Sequence, residues 1–152
     1  MKYFEDFKVG ESLYCGAKTF SKEEIVEFAR QFDPQPFHTD EEKAARSQFG
    51  GIIASGWHTC AVCMRLVVDA MVSHTASMGS PGVDSIRWLK PVRPGDTVSL
   101  RATVLEAEAS KSRPDRGRLI LAYELRDRQG DLLMTMRAIA MIGRRPAAGQ
   151  GA

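Results

Sequence analysis

Little in this chain invites a large charged or membrane partner. Its 152 residues carry 21 basic and 19 acidic side chains, so the formal charge is only +2, and no global field calls for a polyanion. Nucleic acid is not an expected partner. No apolar run approaches the roughly 20 residues that span a bilayer, and Met1-Lys2-Tyr3-Phe4-Glu5-Asp6 does not read as a secretion signal. No membrane partner is expected, and the expected location is cytoplasmic. Cysteine is scarce: three residues, an odd number, argue for reduced thiols and against a disulfide framework. Cys60 and Cys63 form a C-x-x-C, yet no second cysteine or histidine pair completes a zinc site and no strand directly precedes the motif. Both read as buried helix positions, with no metal expected. Arginines gather at Arg113, Arg116 and Arg118 and again at Arg144 and Arg145, where they read as solvated turn and tail charges. No internal repeat is present.

What is there suits one soluble domain. The length is enough for a single core and too short for two ordinary ones, and 43% hydrophobic with 26% charged residues is ordinary globular composition. We assign one domain to residues 1–145 and a flexible, small and Gly-rich tail to 146–152. A first strand is expected over 12–20. Ser21 and Glu24 then form a capping box, and Ile25, Phe28, Ala29 and Phe32 recur at helical spacing to bury one face until Pro34 stops the helix. Asp40 is placed to cap a short helix through Glu41 to Ala45.

From Trp57 to about His74 runs a segment apolar on nearly every side, which reads as a buried central helix with only Arg65 and Asp69 seeking solvent or a partner. Trp57 reads as packing, and His74 as a partner for the dipole at the helix end. Beyond Gly79-Ser80-Pro81-Gly82 the texture changes to strands. The first covers Val83 to Lys90. Three alternating segments follow, over 97–109, 118–127 and 131–142, and their turn-rich connections predict an antiparallel meander. One very apolar helix and one sheet face to cover give an α+β domain, a curled antiparallel sheet wrapped around the helix.

The chemistry concentrates in Phe32-Asp33-Pro34-Gln35-Pro36-Phe37-His38-Thr39-Asp40. The two prolines restrict themselves and the residues before them, so Asp33 and Gln35 are expected to be extended or turn-like in a loop that holds its shape. A carboxylate and an imidazole five positions apart are acid/base equipment that can handle a water molecule. On spacing alone, a capping Asp and a structural His remain the alternative. Downstream, Phe49-Gly50-Gly51-Ile52-Ile53-Ala54-Ser55-Gly56 leads into the central helix, whose start presents free N–H groups.

Taken together, the Asp33 to Asp40 loop and the Phe49 to Gly56 segment resemble the MaoC-like dehydratases, the family of the (R)-specific enoyl-CoA hydratases. Arg87-Trp88-Leu89-Lys90-Pro91-Val92-Arg93-Pro94-Gly95-Asp96 looks like the family's strand and turn after the helix. The resemblance covers most of residues 5 to 143. It implies the hot-dog fold, and hydration or dehydration of an enoyl-CoA or related thioester without metal or redox cofactor, coenzyme A entering as part of the substrate. It also implies that Asp33 and His38 are the catalytic pair and that the Gly56 N–H helps bind the thioester oxygen, with glycine leaving room for the substrate. We take His38 as base and Asp33 as proton donor, or the reverse.

Two features depart from the common pattern, Gln35 for Asn and Ser55 for His. With Phe37 and His58 they are expected at the substrate pocket. Arg87, Lys90 and Arg93 either meet the phosphates of coenzyme A or are solvated charge. A hot-dog thioesterase and a non-catalytic thioester-binding subunit are the alternative functions. The open edges of a small sheet, and the resemblance, lead us to expect a homodimer or higher homo-oligomer.

Overall fold

Ser21 and Asp40 begin helices as their side chains dictate. In the computed structural model, which describes residues 1–148, the Ser21 hydroxyl accepts from the Glu24 N–H at 3.1 Å and α1 follows over Lys22–Phe32. The last residues of the tail expected over 146–152, from 149 on, lie outside the described residues. Ile25 and Ala29 are fully buried, whereas Phe32 is 68% exposed. The expected apolar face therefore stops one turn early. Phe32 sits at the helix exit with its ring against Phe28. The Asp40 carboxylate accepts from the Lys43 N–H at 3.0 Å and caps α3, Glu41–Arg46.

Between them the loop contains a helical turn that the sequence reading did not include, α2, Pro36–Thr39. Gln35 is extended, with φ −81° and ψ 145°, as the following proline requires. Pro36 itself fits the first helical position, where no N–H is needed.

The central helix, α4, is Gly56–Ala70, with Ser55 as its N-cap. It ends before His74 because Met71 leaves helical geometry, and Val72–His74 form a separate 3-10 turn. His58, Thr59, Val62, Cys63 and Val67 form its buried face. Trp57, Ala61 and Met64 are exposed, so the helix is not buried all round. They form an apolar outer stripe at helical spacing, and Trp57, though exposed, packs edge to face on Trp88.

The sheet comprises β1 (Ser12–Thr19), β2 (Val83–Trp88), β3 (Thr97–Ala109), β4 (Arg116–Arg126) and β5 (Leu132–Gly143). Its order is β1-β3-β4-β5-β2, with every neighbouring pair antiparallel. The expected meander is β3 to β5, and the remaining strands form the two edges. One face is built by alternation: Val98, Leu100, Ala102 and Val104 on β3, then Leu119, Leu121, Tyr123 and Leu125 on β4, all buried. Fully burying a side chain of this size contributes about 1.5–3 kcal/mol.

Gly16 falls in the β1 bulge between Tyr14 and Ala17 with φ +101°, close to Leu66 of α4, and lets the edge strand bend toward the helix. A sheet curled around one helix is the hot-dog arrangement. Arg144 and Arg145 are not simply solvated. They pair with Glu5 at 2.9 Å and Asp6 at 2.6 Å and fasten the chain's first turn to the end of β5. The Arg145 N–H and the Arg144 guanidinium hold the Glu5 carboxyl down to about 2. Among the described residues, no helix is long and apolar enough to cross a membrane.

Candidate active site

The exit of α1, the α2 turn and the start of α4 converge on one cavity. Asp33 is the C-cap of α1, its N–H still bonded to the Ala29 carbonyl at 2.8 Å, and this fixes where its carboxylate leaves the helix. The α2 turn carries His38 inward until only 4% of it is exposed. Its Nδ1 lies 2.7 Å from the Ile53 carbonyl, while the Ile53 N–H donates to the Phe37 carbonyl at 3.0 Å. A carbonyl only accepts, so Nδ1 carries a proton. The other ring nitrogen, Nε2, lies 3.3 Å from Asp33 Oδ2.

Each oxygen of Asp33 also has a donor of its own. Gln35 Nε2 donates to Oδ1 at 2.6 Å and the Ser55 hydroxyl to Oδ2 at 2.7 Å. Burial works to raise the Asp33 carboxyl. The donors Gln35 and Ser55, with His38 beside them, outweigh it and hold the group below the ordinary carboxylate value. The carboxylate is therefore ionised, and it lies beside the His38 ring nitrogen Nε2.

Gly56 opens α4, so its N–H is one of the first-turn donors that helix geometry leaves without an intrahelical acceptor. The reason for glycine here differs from the one expected. A Cβ at position 56 would come 2.4 Å from the ring of Trp88, and the Trp88 indole N–H donates to the Gly56 carbonyl at 3.0 Å. The space above Gly56 is filled by that indole, so it is the protein itself that needs the missing side chain.

The cavity measures about 460 Å³, and Asp33, Gln35, Phe37, His38 and Gly56 all line it. Trp57, Trp88, Leu89 and Leu133 supply apolar wall. The two indoles meet edge to face at 5.3 Å. A larger open groove of about 690 Å³ beside α1 is lined by Val26, Thr39 and mostly charged residues, among them the paired Lys22 and Glu41, and carries no imidazole. Size does not pick out the site; converging polar groups do.

Several expected pocket residues sit elsewhere. Ser55 is fully buried beneath Asp33, outside the cavity lining. His58 points into the core, stacked on Phe28 at 4.7 Å and tilted against Phe20, with Nδ1 lacking any partner. Helical phase turns it away from the cavity that Gly56 and Trp57 face. Lys90 reaches the wall, but its ammonium is taken by Asp127 at 2.7 Å and Asp131 at 3.1 Å. Arg93 lies outside the lining and donates to the Phe49 carbonyl at 2.7 Å, holding the loop before α4. Arg87 is exposed on β2 and does not line the cavity. The sequence reading missed Trp88 and the Ile53 carbonyl. Trp88 was legible only as a strand residue, because its contact with Gly56 spans 32 positions.

Comparison with known proteins agrees with this architecture. The MaoC like domain family matches residues 7–118. YdeM of Bacillus subtilis, an uncharacterized protein, is 32% identical over 108 residues, covering 71% of this chain and 77% of that one. The (R)-specific enoyl-CoA hydratase of Rhodospirillum rubrum is 33% identical over 109 residues, 68% of this chain and 70% of that one. The crystal structure of a MaoC-like dehydratase from Rhodospirillum rubrum superposes with a TM-score of 0.89 at 38% identity, covering 95% of this chain and 98% of that one. The chain therefore belongs to the MaoC-like family of hydratases and dehydratases.

Proposed function

We propose that this protein catalyses the reversible hydration of a trans-2-enoyl thioester, with coenzyme A as the carrier, to the 3-hydroxyacyl thioester. The observation that carries the reading is the carboxylate–imidazole pair, Asp33 Oδ2 and His38 Nε2 at 3.3 Å, in the same cavity as Gly56 at the start of α4. Hydration adds water oxygen at C3 and a proton at C2, and negative charge develops on the thioester oxygen between the two events. The Gly56 N–H, at the positive end of α4, is the donor for that oxygen. One such preorganised donor contributes about 2.7–4 kcal/mol to the transition state.

The water is held by Asp33 and His38. His38 accepts its proton as the C3–O bond forms, and the resulting imidazolium is stabilised by the Ile53 carbonyl on one side and the Asp33 carboxylate on the other. The pair then returns one proton to C2. This balances the reaction: one O–H bond and the C2–C3 π bond break, one C–O and one C–H bond form, and the site ends in its starting state without a metal or redox cofactor. Asp33, ionised at rest, becomes the donor to C2 only after the pair has taken the water's proton.

The names of two relatives support a coenzyme A thioester: the (R)-specific enoyl-CoA hydratase of Rhodospirillum rubrum and the 3-hydroxybutyryl-CoA dehydratase of Methylorubrum extorquens. The free outer edge of β2, with Val83, Trp88, Leu89 and the Met64 stripe exposed nearby, supports association of two copies. A screen of enoyl-CoA chain lengths tests the reading. Loss of enoyl absorbance without thiol release is the expected result, and release of free thiol would instead indicate a thioesterase.

A further inference from the structure

We propose that Ser55 is a positioning residue for the reaction: its buried hydroxyl ties the Asp33 carboxylate to the first turn of α4 and so keeps the acid/base pair and the Gly56 donor in one rigid frame. The inference deepens the hydration reading above and rests on it. Ser55 is 0% exposed and does not line the cavity, so it acts through other groups. Its hydroxyl has one hydrogen and two lone pairs. The hydrogen goes to Asp33 Oδ2 at 2.7 Å, and a lone pair receives the Trp57 N–H at 3.2 Å.

The second bond is the N-cap of α4, and the first reaches 22 positions back to the exit of α1. One hydroxyl therefore joins the helix that supplies the oxyanion donor to the residue that holds the water. Both hydrogen bonds run in the sense that suits an ionised Asp33. An ionised carboxylate only accepts, and both of its oxygens here meet donors, Gln35 on Oδ1 and Ser55 on Oδ2.

The groups facing Asp33 are few. From α2 comes His38, the one titratable partner; Gln35 from the connecting loop and Ser55 from the α4 cap are neutral. Lys90 lines the same cavity but is already paired with Asp127 and Asp131. With Ser55 and Gln35 holding opposite oxygens, the carboxylate plane is fixed before substrate arrives.

The test follows Asp33 directly by carbon NMR of protein labelled at its aspartate carboxyls, with the Asp33 signal identified by its loss in Asp33→Asn. In Ser55→Ala the signal is expected to titrate at higher pH than in the unaltered protein, and the acid side of the pH–rate profile with crotonyl-CoA to move the same way. The turnover number is expected to fall about tenfold with KM within about twofold, since a hydrogen bond to a charged group is lost away from the substrate. Ser55→Gly, which helix N-caps tolerate better than alanine, gives the same readout if the alanine variant does not fold. An Asp33 signal that titrates in these variants where it does in the unaltered protein would overturn the proposal. Because the titration needs no turnover, it decides the role of Ser55 even if the unaltered protein hydrates no thioester, an outcome that would sink the hydration reading alone.

Discussion

The two ends of α4 each border a cavity, and the cavities differ in kind. At the N-terminal end, about 460 Å³ of space is lined by an ionised carboxylate, an imidazole and a first-turn N–H with no intrahelical acceptor. At the C-terminal end, about 250 Å³ is enclosed by Met64, Met71, Val72, Met136 and Ile142, with no carboxylate or imidazole among its lining residues. Two polar groups at that end bond within the chain: the Met71 N–H bonds the Val67 carbonyl, and the Thr75 hydroxyl donates to the Met71 carbonyl at 2.8 Å. Burial pushes the Tyr123 hydroxyl upward and keeps it neutral. One end gathers charged and hydrogen-bonding groups around its cavity, and the other surrounds its cavity mainly with apolar side chains.

That contrast can be broken most forcefully at the reactive end. Asp33→Asn or His38→Ala is expected to remove hydration of crotonyl-CoA, a loss of at least about 10²- to 10⁴-fold from acid/base catalysis, while circular dichroism and melting temperature stay near those of the unaltered protein. Next in size is Gly56→Ala. Its Cβ would meet the Trp88 ring at 2.4 Å, and we expect it to cost about 1–3 kcal/mol in urea unfolding as well as most of the turnover. Adding Trp88→Ala to that variant should recover stability beyond the sum of the single effects, because the clash is between those two side chains.

The closed end should show the opposite pairing of effects. Met71→Ala is expected to lose about 2 kcal/mol of stability, at the low end for a buried methionine because a cavity already adjoins it, with kcat per folded molecule unchanged. The smallest effect concerns His58, whose ring is buried between Phe20 and Phe28. Burial lowers it from its ordinary value of 6.5, the neighbouring Glu24 partly opposes this, and Lys18 adds to the lowering. The unfolded chain therefore takes up this proton more readily than the folded one. The stability that neutral His58 contributes is present above about pH 6.5 and is lost as pH falls below it. Urea midpoints measured from pH 7.5 to 5 should fall less steeply in His58→Phe than in the unaltered protein.

Local chemistry made much of this architecture legible in advance. The hydroxyl of Ser21 and the carboxylate of Asp40 each start a helix because they satisfy an N–H three positions on, and Val98 to Val104 declare a strand because their alternation has no other outlet. The candidate pair was visible for the same reason, since Asp33 and His38 lie within one stiff loop. What stayed hidden depends on distance in sequence or on helical phase. The α4 segment is so apolar that its pattern does not say which side is buried, and His58, expected at the pocket, faces the core. Neither the bond from Ser55 to Asp33 nor the fit of Trp88 over Gly56 has a local signature.

The central claim, that the Asp33, His38 and Gly56 cavity adds water across an enoyl thioester, is tested most directly by following heavy-oxygen water into product by mass spectrometry. With crotonyl-CoA as substrate, the account predicts one labelled oxygen at C3 of an intact 3-hydroxybutyryl-CoA, and none in Asp33→Asn. Label in a free carboxylate, or undiminished labelling at C3 in Asp33→Asn, would contradict it.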